Sequence, residues 1–531
     1  MTVYRTYRAP SGHGTALIEP ALSAAADTLR RNRSKADQWS FELSGRSLQS
    51  LRSLARVELL QEAWAYSRRY RDVSQPQSDD AIVMAGHQPT LFHPGVWFKN
   101  FALDGVARLS SDQYRPTTAI NLVIDNDVAN AAAVRVPVID DSTGLIRQES
   151  VPFDVASGGV PFEQNRIRDR ATFESFDQRL EASVQPIVAT PCVTRLWKHA
   201  KAAVARCENV SCAIAHARHG LEGELGLNTL ELPLSVVCRS ESFAAFALSV
   251  LCDAMRFRDV YNRSVKEYRI HHGIRSKAHP VPELATKDDW IETPFWIYGD
   301  DAPQRRPLYV RETAGLLELS DLKAKTKRLS ISSSKPEAAP ELASFQGPLW
   351  KLRPRALMTT MYARTVLSDL FIHGIGGAKY DQLGDQILER FFGISALEMM
   401  VVSATVHLPV DSLLEETLSV ESIRRQLRNS RFAPERFQQD AALPEPLLAR
   451  KRELLASIPE PGSRLAWHRE IREVNLSLAQ SLTEVRAGLE RQLQMAKQAT
   501  ASAAILKSRE YSFCLFELDE LTATFANMLG R

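Results

Sequence analysis

The sequence predicts an α/β protein: a parallel-sheet core interrupted by a long insertion, with a C-terminal helical arm. Two stretches, 81–127 and 352–410, alternate short apolar runs with helical patterns, which is the order of parallel strands joined by crossover helices. The chain between them carries mostly helical and then irregular patterns. After Pro461-Gly462, apolar residues fall at Ile471, Val474, Leu478, Leu482, Val485, Leu489 and Leu493. Those steps of three and four repeat after eleven residues, close to the period of a straight helix.

In chain order, residues 1–40 read as a partly basic arm and a short helix. Residues 45–71 read as an amphipathic helix: Leu48, Leu51, Leu54, Val57 and Leu60 recur every three positions, and Ala55, Leu59 and Ala63 widen the stripe. SQPQSDD (74–80) is a turn-rich break. AIVMAG (81–86) is a buried strand, HQPTLFHPG (87–95) a loop, VWFKNFALDGVARL (96–109) a helix with Pro94 near its start, and TAINLVIDND (118–127) a second strand. Residues 134–153 read as a hairpin turning at DSTG. Residues 165–260 are helical in pattern, 265–345 irregular and rich in Pro, His and Trp, and 323–344 linker-like. The α/β pattern returns as helix 355–370, strand 370–374, helix 378–393 stopped by Gly393, and strand 397–409. A helix near Leu447–Leu455 pairs with the tail helix, either as an arm for self-association or as packing on its own domain. The segments are thus 1–74 N-terminal helical, 75–160 first part of the core, 161–345 insertion, 346–410 second part of the core, and 411–531 helical arm.

Composition narrows the function. The 531 residues carry 66 Lys+Arg against 63 Asp+Glu, a net charge of +3, which argues against a nucleic-acid binder. Hydrophobic residues at 44% and charged residues at 24% exclude disordered and fibrous classes. Six cysteines without a CxxC are too sparse for a disulfide scaffold and point to a reducing compartment. The N-terminus shows no signal-peptide pattern, and the uncharged run between Glu241 and Asp253 is too short to span a bilayer. The expectation is a cytoplasmic protein acting on a small molecule.

Several constellations carry chemistry. Gly86-His87-Gln88-Pro89 with His93 and Lys99 follows a buried strand, where an open α/β sheet binds ligands. The two histidines and the lysine supply positive charge or proton transfer there, or else the loop is a tight turn with capping side chains. Asp125-Asn126-Asp127 at the next strand end either orients a hydroxyl, an amine or a hydrated magnesium, or closes an Asx-turn. His373-Gly374-Ile375-Gly376-Gly377-Ala378-Lys379-Tyr380-Asp381 opens a helix whose glycines let backbone approach an anion. It matches neither the P-loop nor the dinucleotide fingerprint, and packing alone is its bland reading.

Cys207, Cys212, His216 and His219 have zinc-ligand chemistry. Three of them share one predicted helix, so they read as buried cysteine and surface histidine, with no metal assigned. His271, His272 and His279 with Arg275 and Lys277 read as an irregular insertion or a substrate lid. The lysine-rich 323–335 run reads as a solvated linker, or as a phosphate-contacting loop.

These pieces, in order, resemble the cysteine-adding enzyme family of bacillithiol synthesis (BshC). In that family Gly-Gln-Gln opens a loop with a Gly-Pro and a later Lys, and here Gly86, His87 and Gln88 stand in that place. The family's strand-end Glu-Asp-His-Asp is similar to Asp125-Asn126-Asp127, and its GGPGE-x-x-Y segment to Gly374–Tyr380. PFW…RRPLYV and the helical tail fit the same order. The chain departs in having His at the second loop position, a shorter loop, and Lys379 near the place of the family's acid, which points to a changed substrate or reaction. By order the resemblance covers most of the chain, and by identity only short patches. A weaker resemblance, to the WbqC-like proteins, rests on His87-Gln88-Pro89 alone.

The BshC resemblance implies a Rossmann-like, nucleotidyl-transferase-like core similar to class I aminoacyl-tRNA synthetases, with a coiled-coil arm that forms a homodimer. It implies a carbon–nitrogen ligase joining an amino acid, cysteine in the family, to a glucosaminyl-malate-type metabolite, with an adenine nucleotide as candidate cofactor. The catalytic candidates are His87, Gln88, His93, Asp125, Asp127 and His373. The binding candidates are Gly86, Lys99, Gly374, Gly376, Gly377, Lys379 and Tyr380. The alternatives are a non-catalytic nucleotide- or sugar-binding protein that dimerises through its arm, and a zinc-dependent protein using the Cys/His set.

Overall fold

The structure, a computed structural model, describes residues 4–43, 46–111, 116–140, 142–275, 281–331, 338–409 and 419–531. The chain forms two compact units. The first comprises Met1–Val136, Ser150–His407 and Arg509–Arg531, and the second Pro137–Glu149 and Leu408–Ser508.

The first unit is built on a six-stranded sheet: β1 (Thr15–Glu19), β2 (Ala81–His87), β3 (Thr117–Val123), β4 (Thr229–Pro233), β5 (Leu370–His373) and β6 (Met399–Thr405). Across the sheet the order is β1-β6-β5-β2-β3-β4. Neighbours from β2 to β6 run parallel, and β1 lies antiparallel on β6 at the edge. The central strands AIVMA and LFI are buried on both faces, which is why they read as unbroken apolar runs rather than alternations. The chain moves outward from β2 through β3 to β4, then returns to the other side of β2 for β5 and β6. The order therefore reverses between β2 and β5.

The α/β class and the parallel sheet stand as expected, but two strands lie outside the stretches assigned to the core. β4 comes from the region read as insertion, and β1 from the region read as an arm. TLELP is only five residues long, carries a glutamate, and is flanked by helices, so its pattern is masked.

Helix α1 (Leu48–Ser67) buries Leu48, Leu51, Ala55, Leu59 and Ala63. The expected step of three fails at Leu54, which is 40% exposed, because a three-residue step drifts around a 3.6-residue turn. Helix α2 (Pro94–Ser110) starts on a His93 cap with Pro94 in its first turn and is buried on nearly every side. Trp97 packs on Phe513 with centroids 4.4 Å apart, and Phe98 on Phe525 at 5.4 Å. Helices α3 (Val210–Glu224) and α4 (Ile375–Ile387) complete the surroundings of the strand ends.

The irregular reading of 265–345 is corrected. Trp290–Gly299, Ala302–Thr313, Leu316–Ser320, Thr326–Ser330 and Lys351–Pro354 form an antiparallel sheet, joined at its edge by the short strand Thr286–Lys287. Register shifts between Glu292 and Trp296 and between Ile297 and Gly299 break the alternation that would have revealed it. Pro294, Pro303 and Pro307 hide the strands further. The hairpin expected over 134–153 is present as Ala133–Ile139 and Ile146–Pro152, with Gly144 at φ +67° in its turn.

In the second unit, Val420–Phe432, Glu445–Ala456, Leu465–Gln480 and Thr483–Leu506 are helices. Glu445–Ala456 runs antiparallel to Leu465–Gln480: Trp467 Nε1 donates to Leu454 O at 2.7 Å, while Arg450 pairs with Glu470 further along. The apolar stripe of the tail is divided at Ser481-Leu482. Val474 and Leu478 pack with Leu448 and Leu454, whereas Leu482 and Leu489 pack with Ile423 and Phe437. Arg509–Arg531 belongs to the first unit, where Phe513 N donates to Phe92 O at 2.9 Å. Among the described residues no helix is long and apolar enough to cross a membrane.

Candidate functional site

The reversal of strand order between β2 and β5 leaves a crevice beyond their carboxyl ends, the place where open α/β sheets bind ligands. A cavity of about 320 Å³ is lined by Asp127 beyond the end of β3, by Gly377, Tyr380 and Asp381 of α4, by Thr360, and by Trp296, Arg305 and Arg355. It joins the strand-end acid and the glycine segment to residues of the antiparallel sheet.

Each wall has a local cause. Gln88, just past β2, donates from Nε2 to Asp127 Oδ2 at 2.9 Å. Arg305 Nη1 reaches Asp127 Oδ1 at 3.1 Å and Asn126 O at 3.2 Å. The guanidinium carbons of Arg305 and Arg355 lie 5.1 and 4.1 Å from the Trp296 ring centroid, cation–π contacts that reach the ring from one strand flanking its own and from just past the end of the other. Arg355 Nη2 donates to Glu292 Oε1 at 2.6 Å, and its buried Nε has no protein partner. Trp296, Arg305 and Arg355 converge only through strand register, which no local pattern of the sequence carries: Trp296 lies opposite Arg353 and Pro307.

Asp381 anchors the glycine segment. It accepts from Thr360 Oγ1 at 2.6 Å, Arg364 Nη1 at 2.5 Å and His373 Nε2 at 2.8 Å. Burial alone would raise its carboxyl, but Arg364 and His373 overcome this and hold it well below the ordinary range. His373 is thereby tied to Asp381 rather than turned outward. A Cβ at Gly377 would sit 2.8 Å from His373 Nδ1, whereas one at Gly374 or Gly376 would meet open space. Lys379 is exposed, and Tyr380 is half-buried at the cavity wall.

In the first loop the capping alternative fits His93, while His87 and Lys99 lie buried. His87 is buried, with Nε2 3.1 Å from Asn100 Oδ1. Burial, helped by Arg218 and Lys99, pushes its imidazole well below the ordinary value, which disfavours the positive charge that was one of its two expected roles. Lys99 is also buried and donates to Gly86 O at 2.5 Å, and burial lowers it to about 8. His93 caps α2 by accepting from Gly95 N at 3.1 Å, and burial lowers it too. Beneath this loop Glu222 Oε1 accepts from Trp97, Asn100 and Arg218, and Arg218 also pairs with Glu231. This buried network was not legible in sequence, since its members come from α2, α3 and β4.

Asp125 stands apart from Asp127. It lines a second cavity of about 270 Å³ with Glu163, Cys207, Cys212 and Ser235. Ser235 N donates to Asp125 Oδ1 at 2.9 Å, yet burial and the nearby Glu163 push the carboxyl up to about 7. Glu163 itself is bound by Arg353 through two bonds of 2.8 and 2.9 Å, which outweigh its burial and lower it.

His216 and His219 are buried, which corrects the surface reading. Cys207, Cys212 and His216 come together, while His219 turns to Thr229 O at 2.8 Å and to the Tyr70 hydroxyl at 2.8 Å. His271 and His272 pack their rings against Tyr4, at 4.6 and 5.2 Å. His279 and Lys277 lie outside the described residues. No protein-family model matches the chain, and no curated protein matches it.

Proposed function

We propose that the first unit is a BshC-like carbon–nitrogen ligase on a Rossmann-like, nucleotidyl-transferase-like core, joining an amino acid to a small anionic aminosugar metabolite. The observation that carries this reading is the convergence of Asp127, Arg305, Arg355, Trp296 and Tyr380 on one cavity beyond the end of β3 and beside α4. Such a site suits a substrate with carboxylates, hydroxyls and a ring. Arg305 and Arg355, both held against the Trp296 ring, bind carboxylate groups, and the Tyr380 side chain at the cavity wall offers an aromatic surface to a sugar or an adenine ring. Asp127 accepts from the amine or hydroxyls of the acceptor. The start of α4 at Gly374–Gly377 offers backbone N–H groups to an anion. Condensing a carboxylate with an amine expels water, so the carboxyl must first be activated, and a nucleoside triphosphate is the class of co-substrate that does this.

The test incubates the purified protein with glucosaminyl-malate, single amino acids and ATP, and looks for the amide by mass spectrometry. Amide formed by the wild type and lost in Asp127→Asn and Arg305→Ala supports the reading. Binding of the metabolite with no condensation for any amino acid rejects it. That outcome favours the second reading, a non-catalytic metabolite-binding protein that dimerises through its coiled-coil arm. Exposed Phe432, Leu465 and Leu476 in the helical unit support that reading.

A further inference from the structure

The sulfurs of Cys207 and Cys212 and an imidazole nitrogen of His216 lie within 4.8 Å of one another. Cys212 and His216 occupy successive turns of α3, with Cys212 Sγ 3.7 Å from His216 Nε2. Cys207 comes from the turn between Val193–Val204 and α3. The ligand set therefore draws on two elements, which spacing along one helix did not suggest. The Tyr70 ring stacks on the imidazole at 3.8 Å and 19°, fixing its plane. His216 Nδ1 is buried without a partner, while Nε2 meets the Tyr66 hydroxyl at 2.9 Å and the Cys212 thiol at 3.7 Å, so a metal ion at Nε2 takes the place of the Tyr66 contact.

Zinc sits about 2.3 Å from thiolate sulfur and about 2.0–2.1 Å from imidazole nitrogen, which sets tetrahedral ligand atoms roughly 3.5–3.8 Å apart. The observed cluster reaches that spacing with shifts of about 1 Å. Two thiolates and one imidazole form a soft set that prefers zinc to magnesium, calcium or manganese. Three protein ligands leave one corner of the tetrahedron open. Cys207 and Cys212 line the cavity of about 270 Å³ that also holds Asp125 and Ser235.

We propose that Cys207, Cys212 and His216 bind one zinc ion whose fourth position opens into this cavity at the ends of β3 and β4. Binding releases the two thiol protons to solvent and changes no oxidation state. The open corner takes a water molecule or a donor atom of a small ligand. This inference does not rest on the ligase reading, since the two cavities use different residues.

The test strips the full-length protein of metal under reducing conditions and reconstitutes it with zinc, then separately with cobalt. The expected result is one zinc per chain retained through gel filtration. The cobalt form should show thiolate-to-metal charge-transfer absorption and the intense visible bands of a tetrahedral centre. Cys207→Ser and Cys212→Ser should weaken zinc binding by more than about 100-fold, beyond the loss typical of outer-sphere partners, while Cys252→Ser retains it. Wild-type protein that keeps its circular dichroism but holds no stoichiometric zinc overturns the proposal. So does a cobalt spectrum without thiolate bands, or a Cys207–Cys212 disulfide that persists with zinc and reductant present. The wild-type cobalt spectrum decides the matter even where a serine variant fails to fold.

Discussion

His373 Nε2 meets Asp381 Oδ2 at 2.8 Å, and Arg364 Nη1 reaches the same oxygen at 2.5 Å. The end of β5 and the first turns of α4 are thereby locked together beneath the glycine segment. Removing the carboxylate leaves the Arg364 charge buried with, among the described residues, Asp385 as its remaining acidic partner. Asp381→Asn should cost about 3–5 kcal/mol, read from urea unfolding near neutral pH. Because the folded carboxyl is depressed, its contribution is present above the unfolded value and is lost as pH falls toward the folded one. The gap between wild type and variant should therefore narrow in acid. A neutral-pH loss below about 1 kcal/mol would show that the lock contributes little.

Asp125 should show the opposite sign. Its folded carboxyl is pushed up to about 7 from an ordinary 3.8. The folded state then holds a proton that the unfolded state releases, and stability falls as pH rises through this window. Asp125→Asn removes that slope. Measured at about pH 5 and about pH 8, the variant should gain on wild type, by at most about 1.4 kcal/mol per pH unit within the window. Parallel pH curves for the two proteins would contradict the burial argument.

Two glycines should respond oppositely to alanine. A Cβ at Gly95 would lie 2.2 Å from Ala404 O, a backbone atom of β6, so Gly95→Ala must push α2 off the sheet. A loss of roughly 1–3 kcal/mol or more is expected. Gly376 lies in α4 with open space around its Cβ position, and Gly376→Ala should stabilise by about 0.5–1 kcal/mol. Thermal melts of both variants check this, and equal effects would refute it.

In the second unit, Leu478 is fully buried with Leu448, Leu454 and Val474. Leu478→Ala should cost about 2–5 kcal/mol. Limited proteolysis should show it as faster cleavage between 419 and 508, with the first unit unaffected. Uniform destabilisation of both units would count against their independence.

The physical limits of sequence reading are visible residue by residue. Gln88, Asp127, Gly377 and Tyr380 were legible because chemistry-bearing side chains crowd loops directly after apolar strands. Trp296, Arg305 and Arg355 were not, because bulges erased the alternation of their strands. His87 and Lys99 were legible as unusual residues but not as buried ones, since burial comes from packing of the loop on α2, where His87 meets Asn100 and Lys99 meets Gly86 O.

The sequence by itself determined the α/β class, the central apolar strands and the loops that follow them, because those depend on local patterning of neighbouring residues. Only the tertiary structure decided the strand order, the separation of Asp125 from Asp127 into two cavities, and the meeting of Cys207 with Cys212 and His216. These depend on which distant segments pair, and the free energy of that pairing comes from burying surfaces that no single window of sequence contains.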